Sequence, residues 1–380
     1  MKNFSAEKRK QHLLTIFNAA VSAVSGQQAV EHAIDNDSAY DPETIIAVGK
    51  AAVGMCRGAL NRFPNAKQAF VVTKYDHADD DILSRQNVTV METAHPVPDS
   101  QSLKAGDELR SLLQSLAADS RLLLLVSGGA SALSESLPDG MSLEDLQAIT
   151  DDMLSTGKTI GEINSRRKEF SQIKDGKLLA QFKGAEIRVY AISDVEGDSI
   201  ATIGSGLGDC HRAQVKANSS IIASNQISRD KAQSIATSLG LKVNLNEESL
   251  YGDVFELAKK IGSILKTAKS GVYIWGGEPT IILPDKPGQG GRNQSLALAL
   301  SEFIKGRNDI TILVAGTDGT DGPTNAAGGI VDGGTYGDSA AVTDSLQRAD
   351  AGSYLLKQNN LLVTGPTNTN VMDLAIAIID

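Results

Sequence analysis

Short aliphatic runs recur along this chain, and each ends in a glycine-rich, polar junction that leads on into further structure. Residues 44–48 (TIIAV) run into Gly49-Lys50 and the small-residue segment AAVGM, and residues 121–126 run into Ser127-Gly128-Gly129-Ala130-Ser131. Residues 186–192 end in Ser193-Asp194-Val195-Glu196-Gly197-Asp198, and residues 271–275 end in Gly276-Gly277-Glu278-Pro279-Thr280. Later, residues 311–315 lead into a glycine-rich loop from Gly316 to Thr324, and residues 361–363 lead into Thr364-Gly365-Pro366-Thr367-Asn368-Thr369-Asn370. An unbroken aliphatic run is a strand covered on both faces, and strands alternating with helices build an α/β sheet. Ligands of such sheets gather at the carboxyl ends of the strands, which is where these polar junctions fall.

The junction over residues 287–300, PGQGGRNQSLALAL, combines the most. Gly288, Gly290 and Gly291 keep the backbone free of side-chain bulk, and Arg292, Asn293 and Gln294 follow where the helix SLALAL begins. A helix start offers unpaired N–H groups and a positive dipole end, and a guanidinium can grip an anion with two parallel bonds. The stretch is therefore expected to cradle a phosphate or carboxylate. Gly49-Lys50 places an ammonium at a strand end. Ser127, Gly128, Gly129 and Ser131 form a candidate anion nest, a binding loop rather than a nucleophile, since no G-x-S-x-G elbow surrounds either serine. Asp194 suits either Mg²⁺ or an Asx turn. Asn225 opens a helix after residues 219–224, and Asp318 and Asp321 suit a metal or a sugar-like hydroxyl. His95, in the turn His95-Pro96-Val97-Pro98-Asp99, is read as a structural residue.

At 380 residues the chain exceeds what one core usually supports, so two domains are expected. A first helix over residues 6–34 brings Leu13, Ile16, Phe17, Ala20, Val21 and Val24 to one face, ready to pack on a sheet. The net charge of −10 argues against a nucleic-acid partner, though it leaves room for a local positive pocket. Cys56 and Cys210 make no disulfide framework or CxxC motif, which fits a reducing cytoplasm, and neither a targeting segment nor a membrane span is expected. Nucleotide signatures of the common kinds are missing. Gly157-Lys158-Thr159 lacks the earlier glycine of a P-loop, because Asp152 stands there. No G-x-G-x-x-G joins a strand to a helix.

Taken together, AVGKAAVGM, AHPVPD, LLVSGGASAL, INSRRKEFSQIKDGKLLA, ISDVEGD, GGEPTIILPDKPGQGGRNQSLALAL, AGTDGTDGPTNAAGGIVD and TGPTNTNVMDL resemble the glycerate 2-kinase family of the MOFRL type, in that family's order and over nearly the whole chain. The resemblance implies ATP- and Mg²⁺-dependent phosphorylation of D-glycerate at its 2-hydroxyl, giving 2-phosphoglycerate and ADP. It implies two α/β domains, an N-terminal Rossmann-like one over residues 1–216 and a C-terminal mixed-sheet one over 217–380, whose tail can pack back on the first. The active site is then expected in the cleft between them. Lys50 and Arg292 fall on family positions expected to carry catalysis, with Asp194 coordinating the metal or taking the hydroxyl proton. The nest at Ser127, Gly128, Gly129 and Ser131, with Asn225, Glu278, Gly290, Gly291, Asn293, Asp318, Asp321 and Asn370, is expected to bind substrate or nucleotide. Glycerate and nucleotide are the expected partners, without nucleic acid or membrane, and a homodimer is left open. NAD(P)H-dependent hydroxypyruvate reduction and a non-catalytic small-molecule-binding relative are the alternatives.

Overall fold

A computed structural model of the chain describes residues 5–36, 40–156, 158 and 160–380. The extreme amino terminus, read above for targeting, and Gly157 and Thr159 of the rejected P-loop tail lie outside them. The chain divides into two units: Ser25–Ser224, and the stretch up to Val24 together with Asn225–Asp380.

In the first unit the aliphatic runs form β1 (Thr44–Val48), β2 (Gln68–Lys74), β3 (Val88–Thr93), β4 (Arg121–Val126), β5 (Glu186–Ile192) and β6 (Lys216–Ala223). They pair in parallel in the order β3-β2-β1-β4-β5-β6, the order of doubly wound dinucleotide-type sheets. All five β1 residues are buried, as parallel strands covered on both faces require. Helix Ser100–Ser115, opened by a capping box at Asp99 and Ser102, sets Leu109 and Leu113 against Ile46, Val48, Leu122, Leu124 and Val126. Each such wholly buried aliphatic contributes about 1.5–3 kcal/mol. Strand order reverses between β1 and β4, so the junctions that follow them lie side by side, with Val48 paired to Val126.

The second unit contains β7 (Val243–Glu248), β8 (Gly252–Asp253), β9 (Gly271–Gly277), β10 (Pro279–Thr280), β11 (Ile310–Gly316), β12 (Gly328–Asp332), β13 (Leu361–Leu362) and β14 (Asp373–Ile379). Its main sheet runs β13-β12-β11-β14-β9-β7, and β8 pairs with β10. Most neighbours are antiparallel, while β7 and β9 are parallel, which makes the sheet mixed. Alternate residues face opposite cores. Tyr273, Trp275, Ile312 and Val314 meet helices Val254–Thr267 and Arg292–Phe303, whereas Val272, Ile274, Leu313 and Ala315 meet helices Ala6–Ala23 and Asn225–Ser238.

Three expectations change. Residues 6–34 form two helices, Ala6–Ala23 and Gly26–Asp35, because Ser25 caps the second one with its side chain on the Gln28 N–H. The division expected at 216/217 falls at Ser224/Asn225, since β6 pairs with β5 and so completes the first sheet rather than opening the second. Helix Ala6–Ala23 belongs with the later residues, where Leu13, Ile16 and Phe17 bury against that sheet. The carboxyl-terminal strand β14 lies inside its own unit, hydrogen-bonded to β11 and β9.

Candidate functional site

At the switch point of the first sheet, the turns after β1 and β4 are built against each other. The Gly49 N–H donates to the Val72 carbonyl, the Lys50 N–H to the Gly128 carbonyl at 2.9 Å, and the Ala51 N–H to Ser127 Oγ at 3.1 Å. Gly49 adopts φ 134°, and a β-carbon there would meet Ser127 Oγ at 2.1 Å. Only glycine fits. Because the carbonyl and N–H of a trans peptide point in opposite directions, the Gly129 N–H faces away from the Lys50 backbone. On the other side of the turn, a β-carbon on Gly128 would lie 2.0 Å from Asp194 Oδ2. One on Gly129 would lie 3.1 Å from His95 Cδ2 and 3.2 Å from Lys50 Cγ. Lys50, His95 and Asp194 thus close on one glycine turn from the ends of β1, β3 and β5. Ser131, four residues past Ser127, shares a 2.8 Å hydroxyl hydrogen bond with Ser205, a residue held at φ 58°.

The electrostatics of this edge run against the acidity of the whole chain. Burial, with Lys50, Lys74 and His77 as neighbouring cations, pushes His95 down to about 4, so its imidazole is neutral at pH 7. His77 is lowered as well, first by burial and then by Lys74. Lys50 and a neutral His95 thus pack on the glycine turn, with Lys74 a second cation close to His95, in a protein whose net charge is −10. An anion bound here would relieve the repulsion between the two lysines.

The second unit treats its helix start differently from the sequence expectation. Helix Arg292–Phe303 begins after Gly291, and two of its first N–H groups are already taken by a carboxylate of the protein itself. Asp321 fills that role. Its Oδ1 accepts from the Asn293 N–H at 3.0 Å and its Oδ2 from the Gln294 N–H at 2.8 Å. Gly291 lets the carboxylate approach, and Gly290 packs beside Gly352. Burial pushes Asp321 up to about 6, against the pull of those two bonds. Arg292 donates from Nε to Asp373 Oδ2 at 2.7 Å and from Nη1 to Glu278 Oε1 at 2.8 Å. Burial works against its charge, but Asp373 and Glu278 outweigh that and raise it above the ordinary arginine. Among the described residues its Nη2 makes no hydrogen bond, and the side chain is 33% exposed.

The remaining predicted residues separate by what they touch. Asn225 is wholly buried, donating to the Val371 and Asp373 carbonyls and accepting from Arg229, so its amide serves the protein interior instead of a ligand. Asp318 accepts from the Thr320 N–H in its own loop while Asp321 turns to the helix, so the two do not act as a metal-binding pair. Asn370 Oδ1 accepts from the Met372 N–H. Glu278 is exposed and meets Arg292. Among the described residues no group of three or more His, Cys, Asp or Glu side chains is arranged to hold a metal ion. Two residues were undervalued in the sequence. His95 packs on the nest, and Asp373 anchors Arg292; the latter's only signal was a carboxylate at the head of the aliphatic run DLAIAII.

Residues 12–240 match a domain of unknown function, DUF4147, and residues 271–373 match the MOFRL family. The chain is 33% identical to a D-glycerate 2-kinase of Thermotoga maritima over 99% of this chain and 100% of that protein. It is 35% identical to a glycerate 2-kinase of Pyrococcus horikoshii, over 88% of this chain and 87% of that one. Its fold matches the crystal structure of a glycerate kinase from Thermotoga maritima with a TM-score of 0.90 and 31% identity, covering 98% of this chain and 100% of that chain.

Proposed function

The chain belongs to the glycerate 2-kinase family of the MOFRL type, and from that premise we propose that it transfers the γ-phosphoryl group of ATP to the 2-hydroxyl of D-glycerate. The observation that carries this reading is Lys50 and neutral His95 packed on the Gly128–Gly129 turn, with Lys74 close to His95, at the switch point of a doubly wound sheet in an acidic protein.

Phosphoryl transfer asks a protein chiefly for alignment and for neutralisation of charge on the moving group. The 2-hydroxyl oxygen of glycerate attacks the γ-phosphorus, the bond to the ADP oxygen breaks, and the hydroxyl proton leaves to a base. Lys50 neutralises phosphate charge, and the Ser127–Ser131 turn orients phosphate oxygens. Neutral His95 supplies a hydrogen-bonding ring beside them without adding charge. Arg292, with its Nη2 edge uncommitted, takes the glycerate carboxylate or an equatorial phosphate oxygen.

Magnesium enters with the nucleotide as part of the substrate. The donor set fits that role, because Asp194 offers a single half-buried carboxylate beside glycine backbone, and Mg²⁺ takes one or two protein carboxylates and completes its shell with phosphate and water. Asp194 accordingly serves as the magnesium-binding or proton-accepting carboxylate. A cytoplasmic setting is supported by two cysteines that form no disulfide and, among the described residues, by the lack of any helix long and apolar enough to cross a membrane.

The test incubates the protein with D-glycerate, ATP and Mg²⁺, follows ADP release and identifies the product by phosphorus NMR. Appearance of 2-phosphoglycerate supports the reading; NADH loss with hydroxypyruvate and no ADP release replaces it with reduction. A folded Lys50→Ala variant should lose roughly a hundredfold in turnover.

A further inference from the structure

Asp373 stands at the head of β14 and is 2% exposed. Its main chain is locked into ladders on both sides, paired with Gly316 of β11 and Gly277 of β9. Its two carboxylate oxygens go to two successive residues of one helix start: Oδ2 to Arg292 Nε at 2.7 Å and Oδ1 to Asn293 Nδ2 at 2.9 Å. Behind it, Asn225 donates to the Asp373 carbonyl at 3.1 Å and to the Val371 carbonyl at 2.9 Å. Arg229 fixes Asn225 through a 2.8 Å bond from Nε, and is itself held by Asn246 at 2.6 Å and Glu248 at 3.1 Å.

A buried carboxylate is costly unless its partners justify it, and here the partner is an arginine whose side chain is one-third exposed. Glu278, the other partner of Arg292, is 47% exposed and contributes the weak, solvent-screened bond of a surface pair. The rigid contact decides the rotamer. With Nε pinned at one end, the planar guanidinium has little freedom left, and its Nη2 edge is presented in a fixed direction.

We propose that Asp373 is the positioning residue of Arg292, braced by Asn225 and Arg229, and that it sets the direction in which the guanidinium meets the anionic substrate. This rests on the reading above that Arg292 contacts glycerate or phosphate. It also assigns Asn225 a role through Asp373 instead of contact with a ligand.

The test is a double-mutant cycle on the full chain with Asp373→Asn and Arg292→Ala, measured as ADP release with D-glycerate, ATP and Mg²⁺, the folding of each variant being checked by circular dichroism and thermal unfolding. Asp373→Asn should lower kcat/KM roughly tenfold to a hundredfold, the loss expected when one charged hydrogen bond that orients a reacting group is removed. The double variant should be no worse than Arg292→Ala alone. Losses that multiply would assign Asp373 an effect independent of Arg292 and overturn the proposal, as would full turnover in Asp373→Asn. If Asp373→Asn does not fold, Asp373→Glu, which keeps the charge but displaces it by one methylene, takes its place in the same cycle with the same criteria. Full turnover in Arg292→Ala would instead remove the reading on which the proposal stands.

Discussion

Gly128 and Asp194 are in direct apposition: a β-carbon on the glycine would fall 2.0 Å from the aspartate Oδ2. The end of β5 therefore reaches the turn after β4 only because that turn carries no side chain at this position. Gly128→Ala must push the Asp194 carboxylate aside. A displacement on this scale at a reacting centre costs roughly a hundredfold in turnover. Steady-state kinetics with D-glycerate and ATP, alongside thermal unfolding, should show that loss with little change in stability, because a side-chain end yields more readily than backbone.

His95 gives a pH signature with a defined sign. Its folded pKa of about 4 lies below the ordinary 6.5, so between those values the unfolded chain binds a proton that the folded protein does not. Its contribution to stability is complete above pH 6.5 and is lost as the pH falls towards 4. Chemical unfolding of the protein and of His95→Gln should show a stability gap that is constant above pH 6.5 and changes progressively below it. His77 shifts in the same direction, and comparison with the variant separates the two.

Asp321 acts as an internal anion at the start of helix Arg292–Phe303. Removing it in Asp321→Ala leaves the buried Asn293 and Gln294 N–H groups without their acceptor, at a cost of about 1–3 kcal/mol. Asp321→Asn keeps one acceptor and should cost less. Equilibrium denaturation checks both.

Glu135 and Lys174 form a wholly buried ion pair in the first unit, with Ser171 Oγ donating to Glu135 Oε1 at 2.5 Å. Burial lowers Lys174 below the ordinary lysine, against the pull of Glu135. Lys174→Met strands the carboxylate and should destabilise by about 3–5 kcal/mol, whereas adding Glu135→Leu to it should recover much of the loss. Thermal unfolding of both variants and of Glu135→Leu alone decides this; a double-variant loss equal to the sum of the two single losses would show that the pair is not coupled.

The parallel sheet was legible because β1 and β4 are aliphatic without alternation, and the switch-point glycines because Gly49 and Gly128 stand at strand ends. Lys50, Asp194 and the Ser127–Ser131 turn were readable for the same reason, since each follows its own strand by one or a few residues. The domain boundary was missed because β6 looks locally like the start of a new strand–helix unit, and only its pairing with β5 assigns it to the first sheet. In the stretch over residues 287–300, the local pattern could not show that the Asn293 and Gln294 N–H groups are taken by Asp321, which comes from a distant loop. Asn225 likewise resembled a ligand-binding helix start, while its true partners, Val371 and Asp373, lie far along the chain.

The amino-acid order by itself determined the strands, the glycine turns that follow them, and the family to which the chain belongs, because these depend on local hydrophobic pattern and on backbone freedom at single positions. Tertiary structure alone decided which polar group satisfies which: that Asp373 holds Arg292, that Asp321 caps the helix, and that His95 stays uncharged beside Lys50. Those outcomes follow from burial and from charges brought together across large sequence separations, neither of which is written in any one stretch of the chain.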